Sequence, residues 1–189
     1  IYSDVTLNWH ENIILCFSLS KVGLPGVRTG IIVAAPEVVK AVSSLNAIVN
    51  LSPTRFGAAI ATPLLQDGRL KQLSDDVIRP FYRNQAQTAV SLLKRELGAY
   101  PLKIHKPEGA IFLWLWFENL PVSSQTLYEM LKAEDTLIIP GEHFFVGIDT
   151  QDYPHARECI RMSIAQDAQT LEKGIAAIGR VVRGLYDAA

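Results

Sequence analysis

The longest stretch of this sequence with one uniform pattern is helical, and it separates two groups of strand-like segments. The pattern extends from Leu70 to Leu97, with Pro80 as the expected interruption. Gly98 ends it, because glycine readily adopts the conformation that closes a helix. A continuous helix from Ser74 onward would span roughly 35 Å at 1.5 Å per residue. A helix of that length is typical of a connection between two parts of a protein.

Two apolar runs and two helical segments precede the long helix. The run within Asn12–Phe17 is typical of a strand buried on both faces of a parallel sheet, and Ile31–Ala34 is a second short strand. Pro36 opens a helix in its first turn, where the missing N–H costs nothing. A further helix is predicted with Ser52 as its N-cap and Pro53 at its first position. The apolar face of the first helix carries Val38, Val39, Val42 and Leu45.

Strands and helices alternate again after the long helix. Predicted strands at Lys103–His105 and Ala110–Phe117 are joined by Pro107-Glu108-Gly109, and two more lie at Leu137–Ile139 and Cys159–Ala165. Ser123 or Ser124 caps a helix that ends near Lys132, and Asp167 starts the last helix. This alternation predicts an α/β or α+β protein.

Composition excludes several classes of function. The chain has 189 residues, 18 basic and 19 acidic, so its net charge of −1 argues against nucleic-acid binding. No apolar run approaches the roughly 18 residues that cross a bilayer, so we expect no membrane partner and a cytoplasmic location. Cys16 and Cys159 lie in apolar runs and are predicted to be buried free thiols. Because the sequence begins with Ile1 and almost at once reaches a buried-looking strand, we expect a piece of a longer protein.

The segment from Ser18 to Gly30 is the most informative for chemistry. It places Lys21 just beyond a strand, with hydroxyl groups before it and Arg28 seven residues later across a glycine-rich turn. A lysine desolvated in this way can act as an amine nucleophile that forms a Schiff base. Hydroxyls and a guanidinium can hold a phosphate. On the residues alone, a solvated loop lysine remains an open alternative.

The residues disfavour three other kinds of site. Ser18-x-x-Lys21 matches the nucleophile pattern of serine acyl-transfer enzymes, but the glycines and proline that follow disfavour the helix that this pattern requires. The glycine-rich turn lacks the Gly-Lys-Ser/Thr ending of a nucleotide phosphate loop. The histidines are scattered, and none pairs with a cysteine at the spacing of metal ligands, so no metal site is predicted.

The segment resembles the cofactor-lysine signature of pyridoxal-phosphate-dependent class I/II aminotransferases, Ser-x-Ser-Lys followed by a glycine-containing turn and Arg-x-Gly. The resemblance implies that Lys21 is the catalytic lysine and holds pyridoxal 5′-phosphate as a Schiff base. It further implies that Ser18 and Arg28 bind the cofactor phosphate, with Ser20 as a further cofactor-binding candidate. The separation of Lys21 from Arg28 is one residue shorter than is common in the family.

The resemblance continues downstream. The run Pro107–Trp114 is similar to the family's Pro-x-Gly-x-Phe strand, and Pro140-Gly141 followed by Phe144 is similar to its Pro-Gly-x-x-Phe segment. Arg161 lies in a segment that resembles the one whose arginine grips the substrate carboxylate, a task that suits its planar fork of donors. A strand-edge salt bridge is the alternative role for Arg161.

The similarity covers the chain but only the later part of the family's pattern. It implies an α/β fold of the fold-type-I aminotransferases, with residues 1–70 as the remnant of the large cofactor-binding domain. Residues 71–189 are then the bridging helix and the small α+β carboxy-terminal domain. The family's earlier segment supplies a phosphate loop and the residues that contact the pyridine ring, and it has no counterpart here. We therefore expect this chain to hold only part of an active site.

The short turn is most similar to family members that exchange an amino group between L-valine and pyruvate. The resemblance thus implies small-molecule amino acid and 2-oxo acid substrates and a homodimer. Two alternatives stay open, namely another amino-acid aminotransferase of the same class and a truncated fragment without turnover of its own.

Overall fold

The first two strands pair with each other in an antiparallel hairpin. The computed structural model describes residues 8–51 and 55–189. β1 (Leu15–Ser18) pairs with β2 (Gly30–Val33), so that the first residue of β1 lies opposite the last residue of β2. Both predicted strands therefore exist, but they pair antiparallel, whereas the run within Asn12–Phe17 was expected to belong to a parallel sheet.

The expected burial of this hairpin is also wrong within the described residues. Ile14, Phe17 and Ile32 are exposed, and so is Cys16, which was predicted to be a buried thiol. A continuous apolar run indicates that a strand favours cover on both faces. Such a run does not indicate which residues would pack against the two faces of the strand, or whether the described residues include them. Both cysteines are free, and Cys159 is buried as predicted.

Three helices follow the hairpin. α1 (Pro36–Asn50) begins at the predicted proline, α2 spans Phe56–Gln66, and α3 spans Arg69–Leu73. The predicted N-cap Ser52 and the following Pro53 lie outside the described residues.

The long helical stretch is continuous but not uniform. α3 leads into a π-helical turn, Ser74–Ile78, and then into α4, Arg79–Leu97. Pro80 has no N–H to donate, and it is the second residue after the π turn, in which the helical hydrogen bonding has changed register. The predicted interruption is therefore a widening of the helix. The structure divides into two compact units inside this stretch, between Phe81 and Tyr82. The predicted domain limits at residues 70 and 71 stay a prediction.

The second unit contains a four-stranded antiparallel sheet. Its strand order is β3-β4-β6-β5, where β3 is Leu102–Ile104, β4 is Phe112–Phe117, β5 is Ile139–Pro140 and β6 is Cys159–Ser163. β3 and β4 form the hairpin that the sequence predicts around Pro107-Glu108-Gly109. Alternate residues of β4 are buried, so one face of the sheet forms a core and the other carries Phe112, Trp114 and Trp116.

Helices cover the buried face of this sheet. α5 (Ser124–Lys132) begins after Ser123, whose hydroxyl accepts a hydrogen bond from Thr126 N, and α7 (Ala168–Asp187) is capped in the same way by Asp167. A short helix, α6, spans Pro154–Glu158. The core joins residues of α4, α5 and α7 to the inner faces of β4 and β6. In the described parts of the chain, no helix combines the length and the apolar character that a membrane crossing requires.

Candidate active site

Lys21 lies at the end of a single 3₁₀ turn, Leu19–Lys21, that directly follows β1. Leu19 is buried against Ala61 of α2 and Leu70 of α3, which anchors the turn in the small core of the first unit. Its backbone N–H donates to Thr29 O at 3.1 Å, and its carbonyl accepts from Leu24 N at 3.0 Å. The strand end and the buried leucine therefore fix the backbone from which Lys21 projects.

A second tight turn brings Arg28 back towards the turn that carries Lys21. A 3₁₀ turn at Pro25–Val27 ends at Arg28, whose φ of 46° lies in the left-handed region that non-glycine residues seldom adopt. Arg28 Nη1 donates a hydrogen bond of 3.4 Å to Ser20 Oγ. Strained backbone of this kind concentrates at functional sites, where the surrounding structure holds it in place. The structure therefore brings Ser20 and Arg28 together beside Lys21.

A glycine on α2 permits close packing against the same turn. A Cβ at Gly57 would overlap Thr29 Oγ1 and lie 2.7 Å from Val27 O. Thr29 Oγ1 in turn donates to Val27 O at 2.8 Å. Only glycine fits this position without moving the backbone on either side of Arg28.

Exposure of the site differs from the sequence-based expectation. Lys21 and Arg28 are exposed, and Ser20 is half-buried. Desolvation of Lys21 was the physical reason for expecting an amine nucleophile, and the described residues do not enclose its side chain. Ser18 is the last residue of β1, where its backbone pairs with Gly30.

The donor set fits a phosphorylated aldehyde. A hydroxyl, a guanidinium and an amine lie within one short segment, and the Ser20–Arg28 hydrogen bond shows that two of these groups converge. A phosphate oxygen is bound well by a guanidinium together with a hydroxyl, because both donate to it and one carries positive charge. These are the residue types that would hold pyridoxal 5′-phosphate.

Arg161 belongs to the second unit, on the face of the sheet opposite the core. It lies in the middle of β6, paired across the ladder with Trp114 of β4. Its Cζ lies 4.1 Å from the ring centroid of Phe112 and 4.9 Å from that of Phe144. Its Nε is buried and has no hydrogen-bond partner among the described residues. Among residues 8–51 and 55–189, no carboxylate forms an ion pair with it, so the alternative role in a strand-edge salt bridge has no support.

The aromatic surroundings of Arg161 did not follow from the sequence. Phe112 and Phe144 were recognisable as parts of two separate segments, but their convergence on one guanidinium depends on the pairing of β4 with β6 and on the turn after β5. The alternation of Phe112, Trp114 and Trp116 along one strand was the available signal, since alternate residues share a face.

A cysteine–histidine pair near this sheet is not a second nucleophile. Cys159 Sγ lies 3.6 Å from His155 Nε2. Burial raises the pKa of the Cys159 thiol to about 11, so the sulfur stays protonated at neutral pH, and a thiol is a poor nucleophile. In the described part of the chain, no three or more His, Cys, Asp or Glu side chains are grouped to hold a metal ion.

Comparison with known families identifies the class of protein. The family described as aminotransferase class I and II matches residues 4–178, which is most of the chain. The chain belongs to the class I and II aminotransferase family.

Particular relatives are similar over nearly the whole chain. The valine–pyruvate aminotransferase of Escherichia coli K12 is 42% identical over 175 residues, which are 93% of this chain and 42% of that protein. The chain thus spans about two fifths of the length of this relative.

Solved structures agree with this family and with its fold. A Psychrobacter arcticum 273-4 protein described as an amino-acid aminotransferase is 68% identical, with a TM-score of 0.93 over 100% of this chain and 43% of that one. The valine–pyruvate aminotransferase AvtA of Salmonella typhimurium LT2 is 39% identical, with a TM-score of 0.90 over 100% of this chain and 48% of that one. The α/β fold is therefore that of the fold-type-I aminotransferases, as predicted.

Proposed function

We propose that the protein carrying this sequence transfers an amino group between L-valine and pyruvate, with pyridoxal 5′-phosphate as cofactor. The products are 2-oxoisovalerate and L-alanine. Identities of 42% and 39% to two valine–pyruvate aminotransferases support this choice of substrates. The observation that carries the cofactor assignment is the convergence of Ser20 and Arg28 beside Lys21.

The first unit would bind the cofactor. Lys21 would hold the cofactor through its ε-nitrogen, and Arg28 would donate charge-assisted hydrogen bonds to the cofactor phosphate. The Ser20 hydroxyl, already aligned with Arg28 Nη1 at 3.4 Å, supplies a further donor, and Ser18 supplies another from the end of β1. The bound cofactor supplies the electron sink that stabilises negative charge at the substrate α-carbon.

Lys21 also carries the proton. The Lys21 ε-amine would take the proton from the substrate α-carbon and deliver it to the former aldehyde carbon of the cofactor, and the reverse transfer would return a proton to the α-carbon of the second substrate. Buried Leu19 fixes the backbone of the turn, while the exposed Lys21 side chain keeps its amine mobile.

Arg161 would fix the substrate carboxylate. Its guanidinium has no carboxylate partner among the described residues, and its buried Nε has an unused N–H. A buried donor without a partner costs free energy, which an incoming carboxylate would recover. Fixing the carboxylate orients the Cα–H bond for proton removal. Homodimerisation belongs to the same proposal and rests on the family resemblance, and so does a cytoplasmic location, which rests on the lack of a membrane-length apolar run in the sequence given.

A steady-state assay of the full-length protein tests the proposal. With pyruvate as acceptor, we expect kcat/KM for L-valine to exceed that for L-aspartate and L-phenylalanine by at least about tenfold, the scale of discrimination by an apolar side-chain pocket. A preference for another amino donor would keep the class of reaction and overturn the substrate. Absence of transfer from every amino acid, in protein that shows bound cofactor by absorbance, would overturn the reaction itself.

The 189-residue chain alone is the matched comparison. We expect it to show no turnover, since it spans about two fifths of the curated relative's length. Turnover by the chain alone equal to that of the full-length protein would show that these residues suffice.

A further inference from the structure

We propose that Phe112 and Phe144 are positioning residues that hold the Arg161 guanidinium for a carboxylate. This inference rests on the proposed function, because it concerns how Arg161 recognises the substrate. The two ring centroids lie 4.1 Å and 4.9 Å from Arg161 Cζ. Among the described residues, these rings take the place that a carboxylate would have beside the guanidinium.

The choice of aromatic neighbours has a chemical consequence. An aromatic ring attracts a guanidinium through the negative potential of its face. Unlike a carboxylate, it takes up none of the strong, directional N–H hydrogen bonds of that guanidinium. Arg161 is therefore held in place while its N–H groups stay available, and its buried Nε has no partner. An aspartate or glutamate in the same place would occupy the donors that the substrate needs.

Each ring is itself held in position by the fold. Phe112 begins β4, two residues before Trp114, which lies opposite Arg161. Phe144 ends the 3₁₀ turn Gly141–Phe144 and meets the Trp114 ring edge-on at a centroid distance of 5.2 Å.

The turn that carries Phe144 is packed closely against the sheet. A Cβ at Gly141 would lie 2.5 Å from Cys159 O and 2.7 Å from Ala156 O, so only glycine lets this turn approach. The Pro140-Gly141 segment therefore has a structural role, which is to bring the Phe144 ring over Arg161.

Carboxylate binding to the full-length holoenzyme tests the inference. The probes are isovalerate, which has the carboxylate and no amino group, and isovaleramide, its uncharged analogue, each measured by calorimetry. We expect Phe112→Leu and Phe144→Leu each to weaken isovalerate binding about three- to tenfold. Isovaleramide binding should change less than about twofold, since it does not need an oriented cation. Phe112→Tyr, which keeps the ring, should restore isovalerate binding to within about twofold.

Phe145→Leu is the matched control. Phe145 is the neighbour of Phe144 and its ring contacts Trp114, Tyr153 and His155, but among the described residues it makes no cation–π contact with Arg161. The Phe145→Leu variant should leave the preference for isovalerate over isovaleramide unchanged. If Phe112→Leu fails to fold, Phe144→Leu decides, because the side chain of Phe144 is 43% exposed.

The outcomes separate this inference from the function on which it rests. Arg161→Gln should abolish the preference for isovalerate, and adding Phe144→Leu to that variant should have no further effect. If Arg161→Gln weakens isovalerate binding and neither leucine variant does, the positioning role is overturned and the carboxylate role of Arg161 stands. If Arg161→Gln leaves isovalerate binding unchanged, both are overturned. Equal losses for isovalerate and isovaleramide in the leucine variants would mean general damage to the site and would also overturn the positioning role.

Discussion

The two units of this protein differ in how completely they cover their own apolar residues. The second unit closes a core of nineteen buried residues between one sheet face and three helices. The buried cluster of the first unit consists of Leu19, Ala61 and Leu70. Its hairpin and α1 leave large apolar side chains exposed, including Phe17, Leu45 and Ile48. The second unit therefore has the core of an independent domain, whereas the described residues of the first unit leave much of their apolar surface exposed.

The proposed chemistry is divided along the same line. The residues proposed to bind the cofactor lie on the first unit, which has the small core, and the arginine proposed to bind the substrate carboxylate lies on the second unit, which has the large core. Substitutions in the first unit should therefore affect catalysis more than the stability of the 189-residue chain. Substitutions in the core of the second unit should do the opposite.

Replacement of Lys21 should have the largest effect. Lys21→Ala removes both the covalent attachment of the cofactor and the base, and we expect kcat of the full-length protein to fall by at least about 10³-fold. Lys40→Ala, at an exposed lysine of α1, is the control and should leave kcat unchanged. Full activity of the Lys21 variant would refute its role.

Shortening a leucine side chain should lower stability much more in the second unit than in the first. Leu115 is fully buried on β4, and Leu115→Ala should lower the free energy of unfolding of the 189-residue chain by about 2–5 kcal/mol. Leu45 of α1 is exposed, so Leu45→Ala should cost less than about 0.5 kcal/mol. Urea unfolding measures both. Equal losses would contradict the difference between the units.

Arg161→Lys should weaken substrate binding. A lysine keeps the positive charge but not the planar fork, so we expect KM for L-valine to rise roughly 10- to 100-fold, the equivalent of one or two charge-assisted hydrogen bonds. The change in kcat should be smaller. Arg180→Lys, at an exposed arginine paired with Glu134, is the control. An unchanged KM in the Arg161 variant would remove that residue from the substrate site.

Gly57→Ala should disturb the turn that carries Arg28. The added Cβ overlaps Thr29, so we expect a loss of about 1–3 kcal/mol in stability and weaker binding of the cofactor. Gly26 lies in the turn that leads to Arg28, but a Cβ there would meet no heavy atom within 4 Å. Gly26→Ala should therefore be tolerated. Thermal unfolding and titration with pyridoxal 5′-phosphate measure the two effects. If the two variants behave alike, close packing at Gly57 is not what holds the turn.

The smallest expected effect is a pH dependence in the second unit. Arg183 Nη1 donates to Glu96 Oε2 at 2.9 Å and holds the pKa of this carboxyl below its ordinary value of 4.5. Because the pKa is lowered on folding, the ion pair stabilises the protein at pH values above about 4.5 and is lost as the pH falls further. Glu96→Gln should therefore cost about 0.5 kcal/mol at pH 7 and less at pH 3. A cost that does not depend on pH would show that the charge is not involved.

The sequence predicted local features well and burial poorly. Pro36, Ser123 and Asp167 begin or cap helices where they were expected, because capping depends on a few neighbouring residues. The predictions of a parallel sheet for the first strand and of a buried Cys16 were wrong. Both features depend on which residues pair with and cover the strands. The candidate site residues near Lys21, whose roles stay a prediction, were identifiable through the family resemblance of their segment. The ring pair around Arg161 was not, since it arises from the pairing of distant strands.

Reductive trapping on the full-length protein tests the central assignment most directly. Borohydride converts a Schiff base between lysine and the cofactor aldehyde into a stable amine, and peptide mapping then locates the pyridoxyl group. We predict a single label at Lys21, absent in Lys21→Ala and present in Lys40→Ala. A label on another residue, or no label in protein that binds the cofactor, would contradict the assignment of Lys21.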